Sequence, residues 1–179
     1  MGHLADGPKI GGALATVAAS SSRLASATLT SPFAPRLADS GRTTEQIIKD
    51  MMRQSDISVQ AIVLTEFQEQ LRLSQSFNEL TVEEDTWPQF HLVVRVYGLS
   101  IAHGFTSKLE PMLGVEGSLV AADETILWQR YEYVTAGSKF KGYRLQEYLS
   151  DPELLREAFK KAAAIVVGDL VSDLGGTTN

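Results

Sequence analysis

Residues 90–134 contain three successive β-type runs, and this stretch constrains the fold more than any other part of the chain. In the first run apolar residues recur at every second position, which is the period of a strand with one packed face. The predicted packed face carries Phe90, Leu92, Val94 and Val96. The opposite face also carries apolar residues, so we expect this run to be a central strand of a sheet.

Two further strands are predicted after it. The segment from Ser100 to Pro111 contains a glycine and a proline and is expected to form a crossing loop. A second strand is predicted at Leu113–Ala121 and a third at Thr125–Val134, with a turn at Asp123-Glu124 between them. A connection this short predicts antiparallel pairing.

The pattern between residues 43 and 71 predicts two helices. Thr43 or Thr44 can cap the first, and Gln46 completes a capping box with Thr43. Ser55-Asp56 is the predicted cap of the second. Its apolar residues recur at spacings of three and four, as in an amphipathic helix, and they are Val59, Ile62, Val63, Phe67 and Leu71.

A long helix is predicted to close the chain. Ser150 is its expected cap, Pro152 lies in the first turn, and Glu153 completes an S-x-x-E box. Gly175 is the expected C-terminal stop. The predicted buried stripe consists of Leu155, Phe159, Ala162, Val166 and Leu170, and its margins of Leu154, Ala158, Ala163, Val167, Val171 and Leu174.

These elements predict an α/β fold: a mixed or antiparallel β-sheet packed against two or three helices, including the long C-terminal one. At 179 residues the chain fits a single domain. Residues 1–41 form an N-terminal segment with a strand around Leu14–Ala19, and residues 42–179 form the remainder of the same domain. A further short strand is predicted around Phe77, Leu80 and Val82.

Composition excludes several classes of function. The net charge of -6 opposes binding to nucleic acid, which needs clustered positive charge. The chain has no cysteine, so thiolate metal sites and cysteine nucleophiles are excluded. No apolar run approaches the ~18 residues of a spanning helix.

No catalytic, metal or cofactor motif is recognisable. His91 and His103 have no local Ser-His-Asp or carboxylate spacing, and they lack the spacing that lets one element present two metal ligands. The acidic run Glu83-Glu84-Asp85 lacks the alternating ligands and glycine turn of a calcium loop. We therefore expect a non-enzymatic protein without a cofactor or a metal. An enzyme would require His91 or His103 beside a carboxylate in a cleft.

Aromatic and basic residues interleave near the end of the third strand and in the loop that follows. This composition suits an interface with another protein, because tyrosine and arginine are enriched at interface centres. Edge-strand and loop residues without a partner would show the same pattern. The predicted contact residues are Tyr131, Tyr133, Lys139, Phe140, Lys141, Tyr143 and Arg144.

The order of elements resembles the periplasmic domains of bacterial envelope lipoproteins. Similar groups are the auxiliary lipoproteins of ABC-type transport systems, the curli-secretion-type lipoproteins and the N-terminal domain of the Tol translocation protein. Three segments carry the resemblance: Glu66 to Phe77 (EFQEQLRLSQSF), Val93 to Leu99 (VVRVYGL) and Gly117 to Trp128 (GSLVAADETILW).

The resemblance implies an accessory role in envelope assembly, transport or secretion, through contact with other envelope proteins or self-association. It also implies a periplasmic location with an outer-membrane anchor, and the membrane is reached only through a lipidated cysteine that this sequence lacks. The alternative is a carrier that encloses an apolar ligand such as a lipid between the sheet and the C-terminal helix. That alternative predicts an apolar cavity lined by Val94, Leu119 and Val166.

Overall fold

The protein was analysed as a computed structural model, which describes residues 15–17, 23–24, 43–74, 88–102, 107–137 and 140–176. The strands are β1 (Ala15–Val17), β2 (Arg23–Leu24), β3 (Gln89–Ile101), β4 (Lys108–Val120), β5 (Ile126–Val134) and β6 (Tyr143–Arg144). The helices are α1 (Thr44–Gln54), α2 (Val59–Leu73), α3 (Leu145–Ser150) and α4 (Pro152–Gly176).

The strands form one mixed sheet with the order β1-β3-β4-β5. β3 pairs antiparallel with β4 on one side and parallel with β1 and β2 on the other, so it is a central strand as predicted. β4 and β5 form the predicted antiparallel pair, and β1 lies within the predicted strand at residues 14–19. The α/β fold class, with its long C-terminal helix, is confirmed.

A β-bulge at Arg95 reverses the faces of β3. Val94 pairs with Val115 and Val96 pairs with Gly114, so Arg95 is an extra residue in β3. Beyond the bulge, Tyr97 rather than Val96 is directed at the helices, and its ring lies 6.1 Å from that of Phe159. The prediction that Val96 shares a face with the buried Phe90, Leu92 and Val94 is therefore wrong.

The predicted loop from Ser100 to Pro111 is also wrong, because β3 continues to Ile101 and β4 already begins at Lys108. Pro111 lies inside β4 opposite Leu99. It falls between the part of β4 that pairs with β5 and the part that pairs with β6, where the strand is paired only to β3 among the described strands. Proline is tolerated at such a position because its missing amide hydrogen interrupts no second ladder. His103 lies outside the described residues.

The first helix has the predicted capping box. The hydroxyl of Thr43 accepts from the Gln46 amide at 3.2 Å, and the Gln46 side chain accepts from the Thr43 amide at 2.9 Å. The cap of α2 is Ser58, not Ser55-Asp56. Ser55 ends α1 and Asp56 takes a left-handed conformation (φ 51), so the turn extends two residues further before the next helix can begin.

The long helix α4 begins one residue later than predicted. Ser150 belongs to the short helix α3, which the sequence reading missed, and its hydroxyl donates to the Gln146 carbonyl. Asp151 provides the cap instead, since its carboxylate accepts from the Glu153 amide at 3.2 Å. Tyr143, which the sequence reading placed in the loop after the third strand, pairs with Leu109 in the sheet. α4 ends at Gly176.

One hydrophobic core lies between the sheet and the helices α2 and α4. All five residues of the predicted stripe on α4 are buried, and so are Val59, Val63 and Phe67 of α2. The ring of Phe67 meets that of Phe90 edge-on at 5.3 Å, which joins α2 to the central strand. The predicted strand at Phe77 to Val82 and the acidic run 83–85 lie outside the described residues. Within the described part, no helix is both long enough and apolar enough to cross a membrane.

Candidate partner-contact surface

The two faces of the sheet differ in what covers them. The inner face carries α2 and α4; the opposite side is called the outer face here. Trp128 fixes the orientation of β5, because its indole Nε1 donates to Oδ2 of Asp173 on α4 at 2.9 Å. Arg130 also faces α4, at 3.6 Å from Oδ1 of Asp173. By strand alternation, Gln129, Tyr131 and Tyr133 lie on the outer face.

The indole ring of Trp128 packs against the backbone of Gly117. A Cβ atom at Gly117 would lie 2.9 Å from Cζ3 of Trp128, so only glycine leaves room for the indole there. The indole also meets the ring of Phe90 edge-on at 6.2 Å. Trp128 is half-buried at the margin of the core.

A polar network crosses the outer face. Arg95, the bulge residue, forms two 2.9 Å hydrogen bonds to the two carboxylate oxygens of Glu116. Gln129 donates to Oε1 of the same carboxylate at 2.9 Å. The hydrogen bond from Arg95 is the main cause that lowers the pKa of Glu116. Three strands are thus linked by side chains on this face, and the polar groups beside the tyrosines are held in place.

This network predicts a pH-dependent contribution to stability. Glu116→Gln should lower the free energy of unfolding at pH 7 by no more than about 1 kcal/mol, because the Arg95 side chain is half-exposed. Since the folded-state pKa of Glu116 is lowered, the contribution is complete above the unfolded pKa and is lost as pH falls through the folded one. Urea titrations of both proteins from pH 7 to pH 3 test this. A difference that grows as the pH falls would contradict it.

Two of the predicted contact residues, Tyr131 and Tyr133, lie together on the outer face of β5. Their side chains are 48% and 47% exposed. Tyr131 extends over Gly114, where an added Cβ would overlap the tyrosine hydroxyl and come within 2.7 Å of Val96. Partial burial raises the pKa of Tyr131. The tyrosines are therefore accessible and are also supported by the sheet beneath them.

The other described contact residues lie at a different place. Tyr143 and Arg144 form β6 and pair with Leu109 and Lys108, away from the part of β4 that pairs with β5. Tyr143 packs edge-on against the buried Tyr148 at 5.6 Å, and the Lys141 ammonium lies 5.1 Å from the centre of the Tyr143 ring. Phe140 is half-buried against the core. Lys139 lies outside the described residues, so the predicted set separates into two groups.

Sequence reasoning missed Ile126 and Leu127 as surface residues. Both are 56% exposed, although an apolar run before a tryptophan reads as a buried strand. Of the six large apolar side chains that are exposed in the described part of the chain, four belong to β5: these two and the two tyrosines. Two features of β5 accompany this exposure. Among the described strands it pairs only with β4, and Leu127 is an extra residue at a β-bulge between the Leu119–Trp128 and Val120–Ile126 pairs.

Glu110 is a second residue that the sequence did not single out. It is buried, and its carboxylate accepts from the Gly137 amide at 2.8 Å. Gly142 lies against the same side chain, with 3.1 Å between an added Cβ and Cγ of Glu110. Glu110 thereby ties the segment after β5 to β4, which is a structural role.

The two alternative functions considered above, an enzyme and a carrier, each require a particular arrangement of residues. Among hydrogen bonds between described residues, none joins His91 to a carboxylate, and no cluster of three metal-ligating side chains occurs in the same part of the chain. Val94, Leu119 and Val166 are all buried in one packed core. Two surface pockets lie beside α2, one of them between α2 and α4, and neither is lined by Val94, Leu119 or Val166.

Comparison with known proteins gives distant structural similarities only. No protein-family model and no curated protein sequence matches the chain. A Xanthomonas campestris protein of family DUF330 is similar over 62% of this chain and 60% of its own, with 15% identity and a TM-score of 0.40. The chain thus matches less than two thirds of that protein.

Two lipoproteins are similar at the same level. A minor lipoprotein from Acinetobacter baumannii matches over 63% of this chain and 81% of its own, with 16% identity and a TM-score of 0.37. A putative lipoprotein from Caulobacter crescentus matches over 63% and 80%, with 14% identity and a TM-score of 0.34. At these identities and scores, the similarities assign neither a family nor a function to the chain.

Proposed function

We propose that this protein is a non-enzymatic accessory protein of the bacterial cell envelope that acts by contact with other proteins through β5. The observation that carries the proposal is the concentration of exposed apolar side chains on that strand. An exposed apolar patch costs solubility, and it is typical of a surface that is covered by a partner. The envelope location is the expectation drawn above from the sequence resemblance.

The geometry of β5 supports a contact role over that of a carrier. Tyrosines contribute large apolar area with few rotatable bonds, and here Gly114 and Val96 support one of them from below. The Arg95–Glu116–Gln129 network places ordered hydrogen-bonding groups beside the tyrosines. A carrier needs space inside the fold, whereas the described core between α4 and the sheet is filled by side chains.

Site-specific photo-crosslinking in bacterial cells tests the proposal. A photoreactive amino acid at position 133 should give discrete adducts with other proteins or with a second copy of the chain, and the same group at Glu157, an equally accessible position on α4, should not. Gly114→Val should weaken the adducts from position 133, because the added side chain displaces Tyr131. Equal adducts from both positions, or none from position 133, would refute a contact role for β5.

The location is tested separately. The native gene product should fractionate with the periplasm or the outer membrane of its own host. Recovery in the cytoplasmic fraction would remove the envelope part of the proposal and leave the contact role to be judged by the crosslinks.

A further inference from the structure

We infer that a second copy of this chain docks along β5 in antiparallel register, with Tyr131 opposite its own counterpart. This inference rests on the proposed contact role of β5 and names one partner for it. The strand is nine residues long and contains neither proline nor glycine. Among the described strands β5 lies at an edge of the sheet. Edge strands are commonly protected by such residues, by β-bulges or by being short, because their free N–H and C=O groups pair readily with another strand. The one register shift between β4 and β5 leaves Leu127 as an extra residue near the start of β5, away from Tyr131.

The faces of the sheet restrict the registers that two copies can use. When both sheets join edge to edge with their helices on the same side, outer-face residues must oppose outer-face residues. The residue at the centre of the pair then faces itself across the two-fold axis, and residues equally far on either side face each other. Neighbouring registers therefore differ only in which residue occupies the centre.

The charges of β5 distinguish these registers. Centring on Arg130 places two arginines opposite each other, and centring on Glu132 places two glutamates opposite each other. Both arrangements are destabilising. Centring on Tyr131 instead places Arg130 of each copy opposite Glu132 of the other, so that two cross-strand ion pairs form.

The remaining side chains agree with that register. Within one chain, Arg130 already donates to Glu132 at 2.7 Å and lies 3.6 Å from Asp173. In the dimer each Arg130 would also face Glu132 of the other copy. On the outer face, Tyr131 meets its counterpart and Gln129 meets Tyr133 of the second copy. Aromatic pairs are among the favourable cross-strand contacts. The charges that protect an edge strand against unspecific pairing would here select one register.

Cysteine scanning tests the register. Because this sequence contains no cysteine, each disulfide can be assigned to the introduced residues. Directly opposed residues of antiparallel strands have Cα atoms ~4.5–5.5 Å apart, within the ~4.4–6.8 Å that a disulfide spans. Purified Tyr131→Cys should therefore form a covalent dimer rapidly under mild oxidation. Gln129→Cys alone should not, because its two thiols would be offset by ~13 Å along the strands. A mixture of Gln129→Cys and Tyr133→Cys should form the mixed dimer.

Charge reversal gives a second and independent readout. Glu132→Arg should weaken the dimer measured by sedimentation equilibrium by about tenfold, since two favourable pairs become two repulsive ones. Glu69→Arg, which makes the same change of charge at an exposed position of α2, should have no effect.

Three outcomes would overturn the inference: a wild-type protein that remains monomeric at high micromolar concentration, equal crosslinking at all scanned positions, or a maximum at Arg130→Cys or Glu132→Cys. Circular dichroism verifies that each variant is folded. These experiments use purified protein alone. If the purified protein does not dimerise in this register, the self-docking inference is wrong. The proposed function is tested separately by the cellular crosslinks to other proteins.

Discussion

Phe159→Ala is expected to lower the free energy of unfolding by about 3–5 kcal/mol, the loss typical of a large aromatic side chain removed from a packed core. Phe159 is fully buried at the centre of the stripe on α4, and its ring meets Tyr97 edge-on. The substitution removes this ring contact between α4 and the part of β3 beyond the bulge. Urea denaturation followed by circular dichroism measures the loss.

Two variants serve as controls for this measurement. Phe159→Leu retains most of the volume and should cost clearly less than the alanine variant. Glu157→Ala, two residues away on the exposed side of the same helix, should change stability by less than about 0.5 kcal/mol. If Phe159→Ala cost no more than Glu157→Ala, the packing of α4 on the sheet described above would be incorrect.

Trp128→Ala is expected to destabilise the protein by about 3 kcal/mol, at the lower end of the range for large aromatic residues because the indole is half-exposed. The loss combines the contact with Phe90, the contact with the Gly117 backbone and the hydrogen bond to Asp173. Thermal unfolding followed by circular dichroism gives the change in midpoint, and urea denaturation gives the free energy.

A double-mutant cycle separates the hydrogen bond from the packing. Trp128→Phe keeps an aromatic ring but removes the N–H donor, and Asp173→Ala removes the carboxylate that accepts the hydrogen bond. We expect the two effects to be non-additive, with a coupling of about 1 kcal/mol. Additive effects would mean that the indole and the carboxylate do not interact in solution.

The sequence predicted helix ends correctly where the capping interactions join residues only a few positions apart. The capping box of Thr43 and Gln46 involves residues three apart, so the sequence alone contains all of its parts. The caps of α2 and α4 were misplaced because other nearby residues could also cap. Ser58 and Asp151 were selected by the turn at Asp56 and by the short helix α3, which depend on how neighbouring elements pack.

The sheet was less predictable beyond its central strand. Alternation identified the buried residues of β3 up to Val94, but the bulge depends on pairing with β4, which the pattern of one strand does not contain. Pro111 reads as a loop residue for the same reason, because only the arrangement of β5 and β6 shows that neither of these described strands pairs with β4 at that position.

The candidate partner-contact surface was also only partly predictable from the sequence. Composition identified Tyr131 and Tyr133 but grouped them with residues around β6 that the fold places elsewhere. The exposure of Ile126 and Leu127 goes with the position of β5 at the edge of the described strands and with the bulge at Leu127, and both depend on how β5 pairs with β4.

The bulge at Arg95 also bears on how this strand can vary in length among related chains. Deleting Arg95 would bring Val96 next to Val94 and restore an unbroken alternation in which Val94 and Tyr97 both face the helices. A deletion within residues 90–94 would instead shift the alternation of the strand by one position and turn buried side chains outward. A single-residue gap in β3 is thus expected to be tolerated at this position, at the cost of the arginine that fixes Glu116.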